Sequence, residues 1–347
     1  MIDSAVTPLQ TGASKNTEYG YLIGRVRVWE SGLLNPRLLD QLLRADNADQ
    51  AGRIVSEIPQ LGEVLQNVAQ NPPSIDQALM NHFWSLTEEI SGHRLGAKVA
   101  EFFTLLFHFS QLKLLLKRHL AQKPLGSIPE GVLDWNRISR YISGEKEEYV
   151  PDLFRQAIDQ AKLQYEKWNN IQAIELVIDR LFLSRVLKLS RETESSLLKN
   201  WFIVYVAFAL LRGAFRIRLQ QRSLDFSQLI YLANPMVRED DFKELISAPA
   251  DKVVEKMADI GLSSVLPDQG VFQDDPYYLA TMEKIMDNYL LSMLRPYQLN
   301  AFGPEPVFGF LFAKNIDIKN LRIVLHGKYF EMDERDLRDK VRECYYE

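Results

Sequence analysis

The sequence predicts an all-α protein, and two observations carry that prediction. Apolar residues recur at spacings of three and four along most of the chain, the one-face pattern of an amphipathic helix. The alternating runs of a half-buried strand, with the Asn-Gly or Asp-Gly turns that close hairpins, are absent. A third observation, an internal repeat of about one hundred residues, says how the helices are organised.

In chain order, residues 1–17 read as a flexible tail. Tyr19, Leu22, Val26, Trp29 and Leu33 then mark the first amphipathic helix. Leu39 and Leu42 begin a short apolar block that ends on a small residue, Ala45. Ile138 with Tyr141 and Gly144, and Phe242 with Leu245 and Ala248, repeat that block. Leu112, Leu115 and Leu116 carry a later helix, matched by Leu211 with Phe215 and by Leu321 with Val324 and Leu325. Near the end, Leu337, Val341 and Cys344 form a narrow stripe, flanked by Glu334 facing Arg338 and Asp336 facing Lys340 at i,i+4, as on a surface helix.

The repeat has a constant first step. Leu39 and Ile138, Asp76 and Glu175, and Lys113 and Arg212 are each 99 positions apart. The second step grows from 104 (Ile138 to Phe242) through 108 (Glu175 to Glu283) to 110 (Arg212 to Arg322), which places small insertions in the third copy. The reading is three helical units, 18–123, 124–225 and 226–347. A pseudo-threefold, funnel-like arrangement around an axis suits three such units, with an open row as the competing packing.

Composition narrows the function. Lys and Arg number 41 against 46 Asp and Glu, a net charge of −5, with no basic stripe of the kind nucleic-acid binders use. One cysteine, Cys344, can build neither a disulfide framework nor a Cys-rich metal site, and points to a reducing compartment. The apolar run Trp201 to Leu211 is too short to span a bilayer, which takes about 20 helical residues, so the chain reads as soluble.

No chemistry stands out. The five histidines include no i,i+4 pair, and no His-Glu-x-x-His is present. His119, on the apolar side of its helix, reads as a half-buried surface residue. Gly327-Lys328 lacks the upstream glycine of a phosphate loop, and no Gly-x-Ser-x-Gly elbow occurs. The pairs Glu175/Asp179 and Glu283/Asp287 could serve acid–base or metal chemistry, but with Arg180 and Lys284 alongside they read as solvated helix faces. The expectation is no catalytic residue, no metal and no cofactor.

Two stretches carry a resemblance. Phe302 to Phe330, FGPEPVFGFLFAKNIDIKNLRIVLHGKYF, resembles the C-terminal signature of the C-subunit family (the d subunit in eukaryotes) of vacuolar- and archaeal-type rotary ATPases. Gly303, Pro304, Glu305, Pro306, Asn320, Leu321, Arg322 and Lys328 match it. Glu18 to Ala45, with Tyr19, Tyr21 and Gly24-Arg25-Val26-Arg27, is similar to the family's start. An Asp-x-x-Asn precedes the Leu-Arg run in the third unit (Asp317, Asn320) but not in the first (His108, Gln111) or second (Ala207, Leu210). Those two polar residues read as helix-start hydrogen-bonding groups.

The resemblance implies a non-catalytic, funnel-shaped protein at the cytoplasmic face of the membrane. It would join the D and F subunits of the central stalk to the ring of membrane proteolipids and pass torque between them. Nucleic acid and small-molecule substrates have no part in that role. Lys113, Arg212 and Arg322, equivalent in the repeat, are the candidate partner-binding residues, read as exposed flanks of apolar stripes whose reversal would leave folding intact. The competing reading is a helical scaffold or adaptor outside any rotary machine.

Overall fold

The computed structural model describes residues 16–65, 71–120, 133–220, 224–267 and 271–346, and is helical throughout, without a strand among the described residues. The first helices are α1 (Gly20–Trp29), α2 (Pro36–Arg44), α3 (Ala48–Ser56) and the single turn α4 (Gly62–Leu65). Two long ones follow, α5 (Pro72–Ser91) and α6 (Gly96–Leu120). Next come α7 (Trp135–Ile142), α8 (Asp152–Trp168), α9 (Ile171–Glu192) and α10 (Ser196–Leu219). The chain ends with the short α11 (Ser227–Ile230), then α12 (Glu239–Ser247), α13 (Ala250–Asp259), α14 (Pro276–Leu294), α15 (Glu305–Tyr329) and α16 (Glu334–Lys340).

Side-chain caps start many of these helices. Asn35 and Asp134 accept the backbone N–H of Leu38 and Arg137, and thereby begin α2 and α7. Asn71, Asn170 and Asp275 do the same for α5, α9 and α14, and Pro36, Pro72 and Pro276 follow three of the caps at a position where a missing N–H costs nothing. Asn35 and Asp134, and Asn71 and Asn170, are again 99 positions apart. The repeat therefore extends to the residues that start helices.

The helices pack in a circuit. α5 lies on α6, α6 on α9, α9 on α10, α10 on α14, α14 on α15, and α15 returns to α5. Leu39, Ile138 and Phe242, on α2, α7 and α12, are all buried. The long helices α6, α10 and α15 meet near their N-terminal ends. There the rings of Phe102, Trp201 and Phe308 lie 4.8 to 5.9 Å apart, centroid to centroid, and all three are buried. Phe202, Tyr205 and Phe312 join them at edge-to-face and tilted angles favoured by ring quadrupoles. Aromatic side chains fill the place where these three helices meet.

α6 is long and apolar enough to cross a membrane by length and composition, but 61% of its apolar window is buried inside the fold, as in a core helix. The tail expected over 1–17 lies outside the described residues except for Asn16 and Thr17. Asn16 is folded: its side chain caps the turn at Thr17–Tyr19, and its carbonyl accepts the N–H of Gly303 at 3.0 Å.

The C-terminal expectation needs correction. The surface helix ends at Lys340, and residues 341–346 run on as non-helical chain. Cys344 and Tyr345 are buried, because the segment fills a trench beside α14 and α15. Tyr345 is accommodated by Gly309 of α15, where a Cβ would stand 2.5 Å from the phenolic oxygen. Glu334 pairs with Arg338 as the spacing predicts, while Lys340 reaches the backbone carbonyl of Asp336.

Candidate functional site

The three cations singled out by the repeat lie on α6, α10 and α15, facing α9, α14 and α5 in turn. Lys113 of α6 meets Asp179 of α9 at 2.7 Å. One turn on, Lys117 pairs with Glu175. Arg322 of α15 grips Asp76 of α5 with two hydrogen bonds of 2.7 and 2.8 Å, and His326, one turn on, places Nε2 3.0 Å from the same carboxylate. Arg216 of α10 pairs with Glu283 of α14 at 2.7 Å. Arg212 sits over the ring of Tyr205 at 5.9 Å, near enough to Asp287 and Glu283 to feel both charges.

Each contact thus sets a basic i,i+4 pair on α6, α10 or α15 against acidic residues of α9, α14 or α5. The acids of α9 and α14 are those whose spacing reads as solvated helix faces; Asp76 of α5 is the third. Glu175 and Asp179 keep part of that exposure, but Asp287 does not: it is buried and accepts from Lys319 at 2.9 and 3.0 Å and from Arg342 at 3.0 Å. Burial alone would push its carboxyl up. Lys319, Arg212 and Arg342 outweigh that and hold it below the ordinary carboxylate range. Asp179 and Asp287 share a repeat position, which pairs each with cations but does not reveal the burial of Asp287, since Asp179 stays partly exposed.

Lys113 and Arg212 also line one cavity of about 240 Å³, walled by α6, α9 and α10. Arg322 lines a separate depression of about 390 Å³ along the end of α15. A third depression, about 500 Å³, opens at the other end of the long helices and is lined by Glu18, Lys98, Val99, Glu194, Phe202 and Phe308 among others. No group of three or more His, Cys, Asp or Glu side chains suited to a metal ion occurs among the described residues.

The Gly-Pro-Glu-Pro stretch has a structural reason. Gly303 takes φ of +80°, which favours glycine, and Pro304 and Pro306 suit the start of α15. Glu305, in the first turn and buried, accepts the hydroxyl hydrogen of Ser195 at 2.7 Å, while Ser195 caps α10. One buried carboxylate therefore ties the starts of two long helices together.

Asp317 and Asn320 do not start a helix, contrary to their sequence pattern. They lie in the middle of α15. They do satisfy backbone groups, but of other segments. Asp317 accepts the N–H of Leu34 at 2.8 Å, and Asn320 exchanges two hydrogen bonds with the backbone of Arg342 at 2.7 and 3.0 Å. Lys314, one turn before Asp317 and also buried, donates to the carbonyl of Gly32 at 2.8 Å. Burial raises the Asp317 carboxyl to about 7, against the pull of Lys314. The three side chains fasten the loop after α1 and the C-terminal segment to opposite parts of one buried helix.

A helical circuit built on paired long helices, with its chemistry spent on holding segments together, defines an assembly component more readily than an active site. The profile of the family described as ATP synthase (C/AC39) subunit matches residues 22–340, and the chain belongs to that family. It is 23% identical to the C subunit of the V-type sodium ATPase of Enterococcus hirae over 337 residues, 94% of this chain and 99% of that protein. It is 19% identical to the C subunit of the A-type ATP synthase of Methanocaldococcus jannaschii over 345 residues, 92% of this chain and 85% of that one. The A-type counterpart from Methanobrevibacter smithii is 23% identical over 337 residues, covering 89% and 84%.

Proposed function

We propose that this chain is the non-catalytic coupling component of a V/A-type rotary ATPase, a socket at the cytoplasmic face that joins the D and F stalk subunits to the proteolipid ring. The observation that carries the reading is the match to the family over nearly the whole chain. The closed circuit of six helices, α5, α6, α9, α10, α14 and α15, supports it mechanically. A part that passes torque between a shaft and a ring must resist shear, and a closed circuit has no end at which to peel open.

The units 18–123, 124–225 and 226–347 form this circuit with pseudo-threefold order, each donating its later long helix to the next. The junction ion pairs follow that order: Lys113 to Asp179, Arg216 to Glu283, Arg322 to Asp76. Lys113, Arg212 and Arg322 then act first by setting the units' positions. Arg322, 43% exposed, also offers charge to a partner. No cofactor, nucleic acid or small-molecule substrate enters this role.

The test is removal of the chain from its membrane complex. ATP hydrolysis by the catalytic head should persist, ion transport should stop, and stalk subunits should leave the membrane fraction. Ion transport that continues at the normal rate would refute the proposal, as would a chain that never copurifies with ATPase subunits.

A further inference from the structure

We propose that the depression at the end of α15 docks an acidic segment of a neighbouring protein in the complex. The inference rests on the reading that this chain works inside a multi-subunit assembly. Lys319, Arg322, His326, Lys340 and Arg342 line the depression, and no carboxylate lines it. Behind them, Asp76 compensates Arg322, and Asp287 compensates both Lys319 and Arg342. Lys340 has no carboxylate within 4.0 Å among the described residues; its Nζ reaches only a carbonyl and the ring of Tyr277. Four permanent cations therefore face two carboxylates, and Asp287 also serves Arg212. This local positive surplus stands on a chain whose net charge is −5.

The first junction lacks that surplus. Lys113 and Lys117 meet Asp179 and Glu175 one for one. What distinguishes the third is the C-terminal segment, which brings Lys340 and Arg342 beside α15. The floor is apolar, made by Ile323, Met332 and Leu337, and Leu337 comes so close to Gly327 that a Cβ there would collide with it. Phe330, 65% exposed, stands at the mouth beside the exposed Tyr329. An aromatic mouth, an apolar floor and a cationic wall suit a segment that carries both carboxylates and apolar side chains.

A lipid surface is a poorer fit. Glu331, Asp333, Glu334 and Asp336 are all exposed on the adjoining chain, and an extended anionic surface would meet them together. A single segment entering the depression would not.

The experiment places a photo-crosslinking amino acid at Phe330 in the chain assembled into its membrane complex. The crosslinked peptide is then sequenced. The expected product is a peptide of another subunit with several Asp or Glu residues. Lys340→Glu in the same background should lower the yield about tenfold without changing the melting temperature. A lipid adduct, a crosslink only within the chain, a peptide without acidic residues, or a yield indifferent to Lys340→Glu would each overturn the docking proposal while the chain remains in the complex. A chain absent from the complex would instead defeat the coupling reading, and this proposal with it.

Discussion

Arg322 and Asp76 stand 246 positions apart in sequence and form a two-pronged ion pair in the folded chain. The pair joins α15 to α5, where the end of the chain returns to its beginning. It also alters what charge reversal should do. Arg322→Glu would set two carboxylates against each other across a packed junction, so the expectation that reversal leaves folding intact gives way. For this half-exposed pair, Arg322→Ala should cost about 0.5–1 kcal/mol, and a double-mutant cycle with Asp76→Ala should return a coupling of similar size. Urea unfolding measures both. Strictly additive single mutants would show that the contact carries no stabilising energy.

The aromatic hub should be far more costly to disturb. Trp201 is fully buried among Phe102, Phe308 and Phe312, and its indole N–H donates to the carbonyl of Leu290 at 3.0 Å. Trp201→Ala should cost about 3–5 kcal/mol, from lost contact and an unfilled cavity. Because the hub is shared by three long helices, the loss should appear as lower stability of the whole protein. A separate early transition confined to one part would count against a shared hub.

Gly309 should control how well the C-terminal segment is seated. Gly309→Ala drives a methyl group into the Tyr345 hydroxyl and should cost about 1–3 kcal/mol. Cys344 reports the change without mutation of its own. Its thiol is buried, and burial pushes its pKa up to about 12, so it should react very slowly with a thiol reagent in the native protein. Gly309→Ala should speed that reaction. An unchanged rate would mean that the segment is held by its other bonds, such as Arg295 to the Cys344 carbonyl.

Acid should weaken the packing around α5, α6 and α7. His108 is buried against Trp84 and Trp135, and burial lowers its imidazole to about 4; His82 is lowered to about 4 by burial and, secondarily, by Lys314. The unfolded chain binds these protons near pH 6.5, before the folded one does, so stability is fully present above about 6.5 and declines as pH falls towards 4. Each group can contribute up to about 3 kcal/mol. Asp317 works in the opposite sense, since its raised pKa favours the folded state as pH falls from about 7. The comparison is therefore by difference: His108→Phe should flatten the loss of stability between about pH 6.5 and 4.5. A variant with the same pH slope as the parent would remove His108 from this role.

Much of the architecture was legible in the residues because its causes are local. Helical periodicity needs only neighbours three and four apart, and caps such as Asn71 and Asn170 act within one turn. The recurring spacing was legible for a related reason: Leu39, Ile138 and Phe242 each sit on the buried face of a short helix, a demand that apolar spacing records. Tertiary structure decided what those patterns could not. The segment 341–346 reads as more helix by its spacing, but the trench beside α15 offers Cys344 and Tyr345 burial that a continuing surface helix would not. Asp317 and Asn320 look like caps, yet backbone groups of Leu34 and Arg342 claim them. The same holds for Lys113, Arg212 and Arg322, whose equivalence the sequence reveals but whose partners it does not. A carboxylate 66 positions from Lys113, or 246 from Arg322, leaves no local trace, and only the closing of the helical circuit brings it within reach.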